Sequence, residues 1–91
     1  MEFFKRQTFV NDYKSLPDDI QASCDNAIRK MATNPKSGAL RLHKLGGYAN
    51  PNVFTIDATS NHAYKISFEF GENGAVILRR VGTHKQLDRV A

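Results

Sequence analysis

The sequence VFTIDATSNHAYKISFEFGENGAVILRRV (residues 53–81) carries the clearest strand pattern of the chain. It contains three runs rich in β-branched and aromatic residues, separated by the turn sequences SN and GENG. In VFTIDAT and AYKISFEF, apolar residues recur at every second position, the period of a strand with one buried face. The third run, AVILRRV, is apolar on both faces up to its arginines, as expected of a central strand. We therefore predict an antiparallel meander with strands at 53–59, 63–70 and 75–81.

Toward the N-terminus, the sequence predicts a short edge strand followed by a helix. Phe3 and Phe4 form the strand, and Thr8 is of a residue type that caps helix N-termini. Apolar residues then recur three and four positions apart across residues 9–16, which is the spacing of one helix face.

A second, longer helix is predicted after Pro17, which suits a first helical turn. Ser15 and Asp18 have the spacing of a capping box, and the apolar stripe that follows ends at Asn34-Pro35. The lone cysteine, Cys24, lies on this stripe, so we expect it to pack in the core rather than to react.

The two predicted helices form a hairpin that can cover only one face of the sheet. The fold class is therefore a two-layer α+β domain, with the other sheet face open. We expect the helical stripe to pack on the apolar face of the meander, through Phe9, Tyr13, Ile20, Ile28 and Met31 against Ile56, Ile66 and Phe68.

Length and composition bound the class of protein. The chain has 91 residues, of which 41% are hydrophobic, enough for one compact domain spanning residues 1–91. It has no apolar run of about 18 residues and no basic segment followed by an apolar run at its start. We therefore expect a cytoplasmic protein.

The formal net charge is +4 and its distribution is uneven. Residues 1–28 hold three Lys/Arg and five Asp/Glu, whereas residues 29–91 hold ten and four. The positive charge thus belongs to the sheet region. This charge has two possible explanations. One is a partner that is a polyanion or an acidic protein, and the other is an ordinary solvated surface.

Several kinds of site lack support in the sequence. The histidines, His43, His62 and His84, are far apart and have no cysteine or glutamate at metal-ligand spacing, so we predict no metal site. No G-x-S-x-G motif is present, so the sequence does not support nucleophilic acyl chemistry. Gly46-Gly47 is not followed by Lys-Ser/Thr and a helix, so it predicts a turn rather than a nucleotide-binding loop.

The order of several short strings resembles the RelE/ParE superfamily, the small toxins of bacterial type II toxin–antitoxin modules. These strings are SLPDDI, LRLHKLGG, VFTID, AYKISFEF and LRRVGTH, and together they span nearly the whole chain. The resemblance implies a helical hairpin packed on one face of a small curved antiparallel sheet. It also implies a cognate antitoxin as partner.

One branch of this superfamily cleaves mRNA on the ribosome with a metal-free, cofactor-independent site. In such a site a base takes the proton of the 2′-hydroxyl, an acid protonates the leaving oxygen, and cations stabilise the phosphorane. The resemblance places Lys65 and His84 at catalytic positions, with His84 in proton transfer. We predict that Arg79 joins them as a catalytic residue, because Lys65, Arg79 and His84 lie on or just beyond adjacent strands of the meander. Further basic residues are predicted to contact RNA, namely Arg41, His43, Lys44, Arg80 and Lys85.

The sequence also departs from the mRNA-cleaving branch. Some active members carry two lysines where this chain has Thr55 and Asp57, and the tail KQLDRVA lacks a tyrosine that many of them have. The alternatives are therefore a weaker nuclease, a changed mechanism, or inhibition of DNA gyrase, which is the activity of another branch. A further alternative is a nontoxic module that binds an acidic protein through its basic face.

Overall fold

The computed structural model describes residues 2–49 and 51–91. Within these residues, five strands and three α-helices follow one another. They are β1 (Phe3–Lys5), α1 (Gln7–Lys14), α2 (Asp18–Thr33), β2 (His43–Lys44), β3 (Phe54–Asp57), β4 (Tyr64–Phe70), β5 (Val76–Thr83) and α3 (His84–Arg89). None of these helices is long and apolar enough to cross a membrane.

The strands form one sheet in the order β1-β5-β4-β3-β2. The predicted meander is present as β3, β4 and β5, whose neighbours pair antiparallel. The sheet is nevertheless mixed, because the edge strand β1 pairs with β5 in parallel. A second difference is β2, a two-residue edge strand at His43–Lys44 that the sequence analysis did not predict.

The core lies between the helical hairpin and one face of the sheet. Ile66 faces Ile56 on β3 and Val81 on β5 across the ladder, and all three are buried. Phe9 from α1 and Met31 from α2 are buried in the same cluster. The predicted packing of the helical stripe is confirmed, since the remaining members pack against this core as partly buried side chains, namely Tyr13, Ile20 and Ile28.

The predicted helix boundaries are confirmed, but the predicted N-caps are not. The helices meet at Leu16-Pro17, and α2 ends at Thr33, just before Asn34-Pro35. Thr8 is not an N-cap, because α1 begins at Gln7 and the Thr8 hydroxyl donates to the Arg79 carbonyl at 2.6 Å. The capping box at Ser15 is also wrong, because its hydroxyl donates to carbonyl groups of α1 instead.

The sheet face opposite the hairpin is less open than predicted. Thr55, Ser67 and Glu69 alternate with the core residues of their strands and are nonetheless buried. The C-terminal helix α3, which the sequence analysis missed, contacts β4 and β5. Its N-terminus is fixed by a capping box in which Thr83 and Gln86 bond each other's backbone N–H groups.

Candidate functional site

The most concentrated charge cluster surrounds the carboxylate of Asp57 at the end of β3. Asp57 pairs with Lys65 across the β3–β4 ladder, and the Lys65 Nζ lies 2.5 Å from Asp57 Oδ1. His62 Nδ1 lies 2.5 Å from Asp57 Oδ2, and Arg41 Nε lies 3.7 Å from the same oxygen. We call these four residues the Asp57 cluster.

Unusual backbone conformations bring two members to this cluster. Arg41 and His62 have positive φ values of 49° and 63°, in the left-handed region that non-glycine residues seldom occupy. Arg41 follows a single 3₁₀ turn (Gly38–Leu40), and His62 closes the turn between β3 and β4 by donating its N–H to the Thr59 carbonyl. Such strain persists where surrounding contacts over-determine it, often at functional sites.

The electrostatics of the Asp57 cluster favour a net positive, solvent-accessible site. The Asp57 side chain has no exposed surface, so the nearby cations must compensate its desolvation. Lys65 is 17% exposed, whereas His62 is 44% and Arg41 is 61% exposed. One carboxylate and two permanent cations leave a charge of +1, to which a protonated His62 would add another. An anion such as a phosphate can approach from the exposed side.

Arg79 belongs to a separate ion pair. Its guanidinium lies 2.6 Å from a Glu69 oxygen and donates through Nε to the Ala91 carbonyl at 3.2 Å. It also lies over the Tyr48 ring, 5.9 Å from the centroid. These contacts bury most of Arg79, so the predicted phosphorane-stabilising side chain is held under the C-terminal tail.

Arg80 is turned toward α1. The β4–β5 register shifts between Ser67 and Phe68, so that Arg79 has no partner on β4. Arg80, which follows this bulge, forms a two-bond pair with Asp12 at 2.8 and 2.9 Å. Asp12 also accepts the N–H of Val81, and it raises the pKa of Arg80 above its usual value through the hydrogen bonds. The contact therefore ties β5 to α1.

His84 is the first residue of α3 and is exposed. Its backbone N–H donates to the Ala63 carbonyl at 3.3 Å, which places it beside the residue that follows His62. Its Nε2 lies 3.5 Å from Asp88, one turn along α3, and both side chains are more than half exposed. His84 thus lies at the same end of the sheet as the Asp57 cluster.

The remaining predicted RNA contacts lie on the surface. His43 and Lys44 form the edge strand β2, and Lys85 lies in the first turn of α3. All three are exposed, and none forms an ion pair among the residues that the structure describes.

The structure thus distributes the predicted site residues over distinct positions. Lys65, Arg41 and His84 lie toward the end of the sheet where β3 ends, whereas Arg79 and Arg80 lie in separate ion pairs further along β5. Sequence reasoning missed His62 altogether. The spacing of Asp57 and Lys65, each four residues from Asn61, places those two residues opposite one another across the predicted turn, but it gives no signal for His62.

Two other features bear on ligand binding. A cleft of about 470 Å³ lies between the hairpin turn and α3, lined in part by Leu16, Tyr64 and Leu87; Lys65, Arg79 and His84 lie outside it. Within residues 2–49 and 51–91, no group of three or more His, Cys, Asp or Glu side chains is arranged to hold a metal ion.

Comparison with known proteins gives matches among solved structures only. No protein-family model matches the chain, and no curated protein is significantly similar in sequence. A chain of the RelB–RelE antitoxin–toxin complex from Methanococcus jannaschii is 26% identical, with a TM-score of 0.68 over 97% of this chain and 98% of that one.

Two further structures extend the likeness at lower identity. A chain of the archaeal RelE–RelB complex from Pyrococcus horikoshii OT3 is 11% identical, with a TM-score of 0.70 over 90% of this chain and 92% of that one. The YoeB/ParE toxin from Agrobacterium tumefaciens is 14% identical, with a TM-score of 0.72 over 92% and 99%. Together with the strand order and the helical hairpin, these matches establish that the chain has the fold of the RelE/ParE toxin superfamily, as its sequence motifs predicted.

Proposed function

We propose that the chain is the toxin of a type II toxin–antitoxin module and that it cleaves mRNA on the ribosome. The observation that carries the proposal is the likeness to the M. jannaschii chain, which is 26% identical over nearly the full length and comes from an antitoxin–toxin complex. The excess of cations in the sheet region supports a polyanionic target.

The proposed chemistry needs no metal. The 2′-hydroxyl oxygen attacks the adjacent phosphorus and the bond to the 5′-oxygen breaks, which leaves a 2′,3′-cyclic phosphate and a 5′-hydroxyl. His84 is suited to donate the proton that the 5′-oxygen requires, because its ring is 64% exposed and its backbone is fixed at the capped start of α3. Lys65 and Arg79 are proposed to stabilise the phosphorane charge.

Binding of the RNA backbone is assigned to the exposed cations. Lys44 and Lys85 are available for phosphate contacts without the loss of an existing ion pair among the described residues. Arg41 can contact phosphate while it remains beside Asp57. His43 and Arg80 complete the proposed RNA-binding set, and Arg80 must share its charge with Asp12. Such contacts make binding weaken as salt rises.

The proposed regulator is a cognate antitoxin of complementary, acidic character. A partly disordered partner that folds on the toxin can lay a helix or a strand over the basic face and exclude RNA. Expression of the wild-type chain alone is expected to arrest growth, and co-expression of the antitoxin is expected to restore it. Unchanged growth together with no binding by a neighbouring gene's product would favour a nontoxic binding module.

The nuclease assignment is tested with His84→Ala in a purified translation reaction that contains one reporter mRNA. Loss of a proton-transfer group lowers a rate by about 10²–10⁴-fold, so cleavage is expected to disappear. Lys36→Ala is the control, because Lys36 is exposed in the loop after α2 and lies outside the proposed site. Equal cleavage by His84→Ala and Lys36→Ala would refute the role of His84.

Inhibition of DNA gyrase is the second candidate function. The observation that favours it is that Asp57 pairs with Lys65 and Glu69 pairs with Arg79, so both proposed phosphorane-stabilising cations are already partly neutralised. A supercoiling assay with purified gyrase distinguishes the two targets. If the chain is a nuclease, the wild-type protein is expected to leave supercoiling by gyrase unchanged.

A further inference from the structure

We propose that His62, held by Asp57, is the general base that takes the proton of the 2′-hydroxyl. This inference rests on the proposed nuclease function and completes it, since His84 supplies only one of the two proton transfers. The structural basis is the 2.5 Å contact between His62 Nδ1 and the buried carboxylate of Asp57.

The contact with Asp57 determines which imidazole nitrogen can act. An ionised carboxylate accepts hydrogen bonds but cannot donate them, so Nδ1 carries the proton in this contact. The neutral ring therefore has its lone pair on Nε2, which is the form a base requires. When Nε2 accepts a proton, the Asp57 carboxylate stabilises the resulting imidazolium, as the carboxylate does in an Asp–His–Ser triad.

The surroundings of His62 suit a reaction on a phosphodiester. The ring is 44% exposed, so substrate can reach it, whereas Asp57 is shielded from solvent. Lys65 contacts the other oxygen of Asp57, and Arg41 lies on the same carboxylate with most of its side chain exposed. Two cations are thus available within one cluster to hold the phosphate beside the base.

The second proton transfer is available at the same end of the sheet. The backbone of His84 is hydrogen-bonded to Ala63, the residue after His62. In the proposed step, His62 Nε2 takes the 2′-hydroxyl proton as the oxygen–phosphorus bond forms. Protonated His84 gives its proton to the 5′-oxygen as the phosphorus–oxygen bond breaks, so the protons balance without any other reactant.

The backbone at His62 dictates the choice of substitution. Its φ of 63° is strained for alanine but is accepted by asparagine and by glycine. His62→Asn keeps a side-chain donor for Asp57 and removes the base. His62→Gly leaves room for free imidazole. Asn73→Gly is the control, since Asn73 is a left-handed turn residue (φ 57°) between β4 and β5, outside the cluster.

The experiment measures single-turnover cleavage of reporter mRNA in the purified translation reaction as a function of pH. Wild type is expected to give a bell-shaped profile, in which His62 sets the rising limb and His84 the falling limb. His62→Asn is expected to cleave about 10²–10⁴-fold more slowly and to lose the rising limb. Added imidazole is expected to restore cleavage by His62→Gly, and Asn73→Gly is expected to match wild type.

Asp57 acts through His62 and is therefore a positioning residue. In a folded Asp57→Asn protein, cleavage is expected to slow while RNA binding stays the same, because no carboxylate then holds the tautomer of His62 or stabilises the imidazolium. Cleavage at the wild-type rate would overturn this part of the proposal.

The outcomes separate this inference from the function on which it rests. No cleavage by wild type would refute the nuclease function. Cleavage by wild type and by His62→Asn at rates within about 10²-fold of each other would refute the role of His62 alone. A slower His62→Asn protein that retains both limbs would show that the histidine has only a structural role. Thermal unfolding and antitoxin binding confirm that each variant is folded.

Discussion

The packing of the hairpin on the sheet is tested most sharply by Ile66→Ala. Ile66 has no exposed surface, and it lies between Ile56 and Val81 in the middle of the ladder, under the buried side chains of the helices. The substitution removes three carbon atoms. At about 0.8 kcal/mol for each buried methylene, their transfer alone amounts to about 2.4 kcal/mol.

A cavity term adds to this cost. Because Ile66 is enclosed by strands on both sides and by helices above, the site has little freedom to collapse, so we expect a total of about 3–5 kcal/mol. For a domain of this size, each kcal/mol corresponds to a shift of about 4–8 °C in Tm. The midpoint is therefore expected to fall by at least about 12 °C.

Urea unfolding followed by far-ultraviolet circular dichroism measures the effect. The slope m is expected to remain that of wild type while the midpoint falls. Ile66→Val is the graded control, with an expected loss of about 0.5–1.5 kcal/mol, and Val90→Ala is the exposed control, with an expected change within about 0.5 kcal/mol. A loss below about 1 kcal/mol for Ile66→Ala would refute the described core.

Two further predictions concern the partly buried Asp12–Arg80 ion pair and the thiol of Cys24. Asp12→Ala is expected to lower the free energy of unfolding by about 1.5–3 kcal/mol, because it removes the hydrogen bonds with Arg80. The loss is expected to exceed that of Arg80→Ala, because Asp12 also accepts the Val81 N–H. Equal losses for the two variants in urea unfolding would contradict this. Burial, with a smaller effect of Asp25, raises the pKa of Cys24 from 9.0 to about 11, so its contribution to stability is present below pH 9 and is lost as pH rises toward 11. Cys24→Ala is therefore expected to lose less stability than wild type over that range, and parallel pH profiles of the unfolding midpoint would contradict this.

The strands could be predicted from the sequence where the alternation of apolar and polar residues lies within a single strand. The alternation in residues 63–70 reflects a strand with one face on the core, and β4 indeed spans Tyr64–Phe70. In residues 75–78, Val76 and Leu78 face the core and are buried, whereas Ile77 lies on the other face of the sheet and is partly buried. The two helices could be predicted for the same reason. The three- and four-residue spacing of their apolar side chains depends only on which face of each helix is buried.

The parallel pairing of β1 and the presence of α3 were not predicted from the sequence. β1 has three residues, and nothing in FFK specifies whether it pairs in parallel or antiparallel. α3 has six residues and a single buried apolar side chain, Leu87, so no apolar stripe reveals it. Thr83 and Gln86 do match a capping box, a signal that was present in the sequence and was not used.

The candidate site was harder to predict because charge partners are set by register and by turns. The cation Lys65 was identified, but its contact with Asp57 depends on the pairing of β3 with β4. The approach of His62 to the same carboxylate depends on a left-handed turn residue, which the sequence SNH does not specify. The assignments of His84, Lys65 and Arg79 to catalysis remain predictions.

The proposed cleavage of mRNA is tested by mapping the 5′-hydroxyl ends of transcripts across the genome within minutes of inducing the wild-type chain alone. The proposed mechanism predicts that new 5′-hydroxyl ends appear inside translated regions, and that they disappear when the antitoxin is co-expressed. Growth arrest without new transcript ends, accompanied by a loss of DNA supercoiling, would contradict the nuclease account and would identify gyrase as the target.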